Sequence, residues 1–186
     1  MSFFIYPHKF DACHVHFGPA TQNQNNTENT DSKFYRTIYS TNNISLNSMG
    51  FVMHFIPTKT DQSLYRNKWL VSYDIAHPTN SNIISQLRRI ECSIIDKFMN
   101  SVLGESRQCI YSLSEHLNSG CIKAYSHYNS DNDYSSDHGH GAVDDEITDA
   151  CDSCGGNSNS FQLVVTIFGV WETRTECGIV YKFIKW

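Results

Sequence analysis

Apolar residues recur along this chain at two different periods. Ile83, Leu87, Ile90, Ile94, Phe98 and Val102 follow one another at spacings of three and four, which lines one face of an α-helix. Arg88, Arg89, Glu91, Asp96 and Lys97 fall mostly off that stripe. A helix is therefore predicted over about 82–103, capped by Asn80 or Ser81 and ended at Gly104. Its apolar stripe is read as core. Elsewhere short β-branched and aromatic runs alternate with turn residues, the pattern of strands. Such runs lie at 1–19 (a first strand and a turn at Gly18-Pro19), 34–44, 49–56, 69–75, 120–128, 161–171 and 179–186. Pro57 ends one of them, and residues 58–62 read as a polar turn. Segment 108–117 fits strand and helical turn equally. Residues 172–178 connect the last two strands as a hairpin.

The order is strands, one helix, then more strands. It predicts a mostly-β fold with one helix, an OB-like barrel of five or more strands forming a single domain over 1–186. Two stretches break the pattern. Residues 20–32 contain no large apolar group and read as a polar loop. Residues 129–160 are rich in Ser, Asn, Gly and Asp, and read as an acidic surface insertion that is partly disordered and dispensable for folding.

Charge changes the picture mainly through its distribution. The net formal charge is −5. Eight of the 19 acids (Asp131, Asp133, Asp137, Asp144, Asp145, Glu146, Asp149 and Asp152) lie within 129–156, which has no Lys or Arg; the rest of the chain keeps 11 acids against 14 bases. A weakly basic body with an acidic insertion is compatible with polyanion binding. The insertion is expected to compete for the basic face or to recruit basic partner proteins. No run of eighteen apolar residues is present, so no membrane span is expected. The N-terminus lacks the features of a secretory signal. With seven cysteines and no regular framework, the expectation is reduced thiols and an intracellular protein.

Cations and rings interleave in several strand segments: Lys33, Tyr35, Arg36 and Tyr39; Arg66, Lys68, Trp69 and Tyr73; Lys123 and Tyr125; and, in the last hairpin, Trp171, Arg174, Tyr181 and Lys182. Rings can stack on bases while cations meet phosphates. These fourteen are the candidate nucleic-acid-binding residues. The hairpin itself, Ile167-Phe168-Gly169-Val170-Trp171-Glu172-Thr173 followed by Glu176-Cys177-Gly178-Ile179-Val180-Tyr181-Lys182-Phe183-Ile184, resembles the closing hairpin of single-stranded-DNA-binding proteins of large arthropod DNA viruses and virus-like elements. The likeness covers about 20 of the 186 residues. It implies an OB fold, non-catalytic and sequence-tolerant binding of single-stranded DNA (RNA as a second ligand), a role in replication in the host nucleus, and self-association. The competing expectation is a viral structural or assembly protein whose exposed rings and hairpins make subunit contacts.

Other chemistry is sparser. Cys151 and Cys154 form a C-x-x-C pair with His138 and His140 close before it, four ligand types that zinc accepts. Their spacing fits no standard finger, so neither metal nor other cofactor is expected. In Cys13-His14-Val15-His16 a strand would put His14 and His16 on one face, the pattern of a half-exposed strand. No phosphate loop, nucleophile elbow or H-E-x-x-H is present, and no enzymatic activity is expected.

Overall fold

A computed structural model gives the fold; it describes residues 4–22, 32–62, 68–104, 107–126 and 161–186. Arg66, the acidic segment and its Cys151, Cys154, His138 and His140 lie outside the described residues, as does most of the expected polar loop.

The chain is mostly β. Two 3₁₀ turns (Pro7–Lys9 and Ala12–His14) lead into β1 (Val15–Gln22). Then come β2 (Lys33–Ser40), β3 (Ser45–Leu46), β4 (Met49–Phe55), β5 (Pro57–Gln62), β6 (Lys68–Tyr73) and helix α1 (Pro78–Phe98). After it run β7 (Gln108–Ile110), α2 (Ser112–Asn118), β8 (Cys121–Ser126), β9 (Phe161–Glu172) and β10 (Glu176–Lys185). All strands join one sheet, in the order β1-β2-β9-β10-β8-β6-β5, with β3 beside β2, β4 beside β9 and β7 beside β10. Two ladders are parallel, β10 with β7 and β10 with β8. Among the described residues no ladder joins β1 to β5, so the sheet is open. This corrects the expectation of a closed OB-like barrel: strand patterning fixes which face is buried, but it says nothing about whether the edges meet.

The long β9 organises the sheet. Its first half pairs with β4 and its last four residues with β2, while its other side carries β10. Gly169 permits the handover: a Cβ there would lie 2.3 Å from the Tyr35 carbonyl oxygen, so only glycine lets β2 approach this closely. Next to it Phe168 is an extra residue in the β9–β10 ladder, where Val180 pairs with Gly169 and Tyr181 with Ile167. Phe168 points outward, 37% exposed, as the alternation from Leu163, Val165 and Ile167 requires, and the bulge shifts the phase so that Val170 returns to the core side.

Helix α1 fills the inner face of the sheet. Leu87, Ile90, Ile94 and Phe98 are buried as the stripe predicts, whereas Val102 is exposed. Phe98 meets Tyr35 and Phe17 edge-on at 4.9 and 5.1 Å. The helix starts earlier than expected. His77 is the N-cap, its Nδ1 accepting from the Thr79 N–H, with Pro78 in the first turn. Asn80 is no cap but a buried clasp: its amide donates to the Ile56 and Asp74 carbonyls, and its oxygen accepts from the Ile56 N–H. Beyond Phe98 the chain widens into a π-turn over Met99–Leu103, and Gly104 ends it in the left-handed conformation, φ 65°.

Glu91 also departs from expectation, since it is fully buried. Its carboxylate accepts from the Leu113 and Ser114 N–H groups and from the Ser114 hydroxyl. It thereby satisfies the first turn of α2, a helix too short to be stable alone. Three other expectations are revised. Residues 58–62 form the edge strand β5 rather than a turn, tied to β6 partly by Thr58 Oγ1 donating to the Ser72 carbonyl. Residues 20–22 belong to β1 rather than to the polar loop. The first residues are 3₁₀ turns rather than a strand; only Ile5 bridges to Phe51. No helix among the described residues is long and apolar enough to cross a membrane.

Candidate nucleic-acid interface

β10 is tied to β7 through Gly178 and to β8 from Ile184 onward. Over 179–183 no ladder continues on that side, and the gap opens a groove of about 620 Å³. Its floor is aromatic. Tyr181 donates to the Ser112 carbonyl at 3.0 Å and lies 3.3 Å from His116 Nδ1. The His116 ring sits edge-on against Phe183 at 5.3 Å. Burial, helped by the nearby Lys123 charge, holds the His116 imidazolium below its ordinary pKa, so the ring is neutral near pH 7. The Tyr181 hydroxyl is pushed up, chiefly by burial.

The rim carries the charge. Lys123 and Tyr125 point outward from β8 because their neighbours Ile122 and Ala124 are fully buried on the other face. Lys182 and Val180 do the same on β10, and Phe168 faces them from the bulge. Two ammonium groups lie close to the Tyr125 ring, which is 36% exposed: Lys182 Nζ is 4.2 Å from its centroid and Lys68 Nζ 5.6 Å. Register explains the meeting, since Lys68 pairs with Tyr125 and Tyr125 with Ile184. No Asp or Glu is among the described residues that line the groove. The site therefore offers exposed rings framed by cations, which suits a ligand that combines flat bases with phosphates.

Of the fourteen candidates, Lys68, Lys123, Tyr125, Tyr181 and Lys182 come together here. Trp69 is adjacent but on the inner face of β6. Its Nε1 donates to Ser126 Oγ at 3.0 Å, and the Lys185 ammonium lies 3.2 Å from its ring centroid. Burial lowers the Lys185 pKa. Lys33 and Arg174 lie elsewhere, around a second cavity of about 520 Å³ at the hairpin tip, which they share with Arg107 and Glu172. There Glu172 is buried, accepts from the Tyr35 hydroxyl at 2.8 Å and pairs with Lys33 at 3.3 Å. Burial and that carboxylate push the Tyr35 hydroxyl up to about 12. Arg36 is exposed on β2, apart from both.

Three assignments are corrected. Tyr35, Tyr39 and Tyr73 are 8%, 7% and 5% exposed and present no face to a base. Tyr73 packs on Phe55 at 4.6 Å and donates to the Leu117 carbonyl at 2.7 Å. Trp171 is half-buried over Gly178, where a Cβ would stand 3.0 Å from its Nε1. Reading the sequence missed Phe168, Val180 and His116. Alternation from buried Leu163, Val165 and Ile167 already puts Phe168 on the outer face, and the change of phase to buried Val170 marks the bulge beside it. Nothing in the sequence marks His116, whose place depends on the packing of α2. The chain matches no known protein family, curated protein or solved structure in comparisons with each.

Proposed function

We propose that this protein binds single-stranded nucleic acid, DNA in the first instance, without sequence preference and without catalysis. The observation that carries the reading is the exposed Tyr125 ring at the rim of the β10 groove, with the Lys182 and Lys68 ammonium groups close by. Phe168 and Lys123 extend the same surface with a second exposed ring and a third ammonium. Bases would stack on Tyr125 and Phe168 while phosphates meet the lysines. A closed barrel is not required, because an open, curved sheet can present the same kind of strand face as an OB fold. A role in the replication of viral or mobile-element DNA, and with it a place in the host nucleus, belongs to this reading through the resemblance of the hairpin.

The test is a titration of a labelled oligonucleotide at several salt concentrations. Single strands should bind more tightly than duplex. Three neutralised phosphates would give a slope of roughly two in log affinity against log salt. Tyr125→Ala should cost about 1–3 kcal/mol of binding. Lys182→Ala should weaken binding to all sequences alike and make the salt slope shallower. Undetectable binding at low salt would refute the proposal. The exposed Phe168 and Val180 also favour a second reading, a contact between subunits of an assembly. In that case Phe168→Ser would change the mass in solution rather than the oligonucleotide affinity.

A further inference from the structure

The Asp11-Ala12-Cys13-His14 segment is not the strand its sequence predicts. Ala12–His14 form one 3₁₀ turn with Asp11 as N-cap. The turn gathers onto one side three groups that a strand would have divided between two faces. A carboxylate oxygen of Asp11, the Cys13 sulfur and a ring nitrogen of His14 all lie within 4.8 Å of one another. We propose that Asp11, Cys13 and His14 bind a zinc ion, with the fourth position open to solvent.

One oxygen, one thiolate and one imidazole suit zinc, a borderline-soft ion that accepts all three, whereas hard cations take oxygen alone. Zinc–ligand bonds of about 2.0–2.3 Å place tetrahedral donors roughly 3.5 Å apart. Asp11 and Cys13 are exposed and His14 half-buried, so side-chain rotation at Asp11 and Cys13 can bring their donors toward the His14 ring. Thiolate and carboxylate together balance the ion's charge, the thiol proton passing to solvent on binding.

The turn is also firmly held, both by its own cap and from outside. The Asp11 carboxylate accepts from the Cys13 N–H at 2.9 Å. Lys97 of α1 donates to the Ala12 and Cys13 carbonyls at 2.7 and 2.8 Å. Those two bonds occupy the ammonium, although its charge still opposes a cation. Tyr39 of β2 holds the other side: its oxygen accepts from the Asp11 N–H at 3.4 Å and lies 3.5 Å from His14 Nδ1, with the rings edge-on at 5.6 Å. A metal-bound histidine commonly donates its second ring N–H to such an outer partner. With Nδ1–H given to Tyr39, Nε2 is left unprotonated as a ligand. The ring that sequence reading assigned to bases is thus a positioning residue for this turn.

Cobalt(II) is the probe, because a thiolate ligand gives it an intense near-ultraviolet charge-transfer band. The full chain carrying C151S and C154S removes the other C-x-x-C pair from competition. One equivalent of cobalt should raise the band, zinc should displace it, and Cys13→Ser in the same background should abolish it. Cys13 is exposed, so this variant keeps the fold. Tyr39→Phe, which preserves packing, should weaken cobalt binding about 10–100-fold. Absence of the band, or a band that survives Cys13→Ser, overturns the proposal.

Discussion

Single side chains decide several features that the apolar pattern leaves open. Glu91 stands on the helix face that should be solvated, yet it is fully buried because α2 packs where water would otherwise be. Two backbone N–H groups and a hydroxyl end on its carboxylate. Glu91→Ala would leave those donors buried without acceptors, at about 1–3 kcal/mol each. The expected outcome is a large drop in the urea midpoint, with the loss of protection from hydrogen exchange concentrated in 112–118. Glu91→Gln keeps the shape and one acceptor, so it should fall between the parent and the alanine variant. A Glu91→Ala protein as stable as the parent would show that α2 is anchored by Leu113 and Leu117 alone.

At the level of elements, the β9–β10 hairpin does two things with one ladder. Its inner face supplies core residues (Leu163, Val165, Ile167, Val170, Ile179 and Phe183). Its outer face, around the bulge at Phe168, supplies part of the groove rim. Trp171 belongs to neither. It stands beyond the bulge, over Gly178 near the hairpin's turn, four residues or roughly 13 Å along β10 from Lys182. Trp171→Ala should therefore lower stability by about 2 kcal/mol, less than the 3–5 of a fully buried aromatic, and leave oligonucleotide affinity unchanged. Denaturant unfolding run beside a binding titration separates the two effects. A variant of native stability that binds 10-fold or more weakly would move the ligand track along the hairpin to Arg174 and Lys33.

For the molecule as a whole, the open sheet places the described residues that flank the acidic segment, Ser126 and Phe161, near the groove. β8 ends at Ser126, one residue after Tyr125, and Ser126 and Leu163 pair with Lys185 from opposite sides. The two attachment points are thus separated by two strand spacings, roughly 10 Å. Eight acids without a single Lys or Arg between them are tethered at the rim that carries Lys123 and Lys182. Tethering gives such a segment a high effective concentration at the lysines. Replacing 129–158 by a short Gly-Ser linker should raise oligonucleotide affinity, most at low salt where charges are least screened, and should leave the melting temperature near that of the parent. If affinity falls or the protein unfolds, the segment contributes structure, and zinc at Cys151 and Cys154 becomes the explanation to examine.

The mostly-β character, the α1 stripe and six of the strands were legible in the sequence because each rests on a local period: two residues for a strand, 3.6 for a helix. Leu87, Ile94, Val165 and Phe183 are buried where that periodicity places them. Interleaved cations and rings marked Lys68, Lys123, Tyr125, Tyr181 and Lys182, of which Tyr181 lies on the groove floor. That pattern could not tell them from Tyr35, Tyr39 and Tyr73, since an aromatic on a strand looks alike whichever face a later element covers. β5 was missed because an edge strand needs no apolar residues to pair. Strand order, the two parallel ladders and the open edges were decided only in three dimensions, by which backbones come within hydrogen-bonding reach. The groove, the burial of Glu91 and the meeting of Asp11, Cys13 and His14 against Tyr39 and Lys97 follow from that assembly. Each brings together residues from separate elements, and no local period carries information about distance in space.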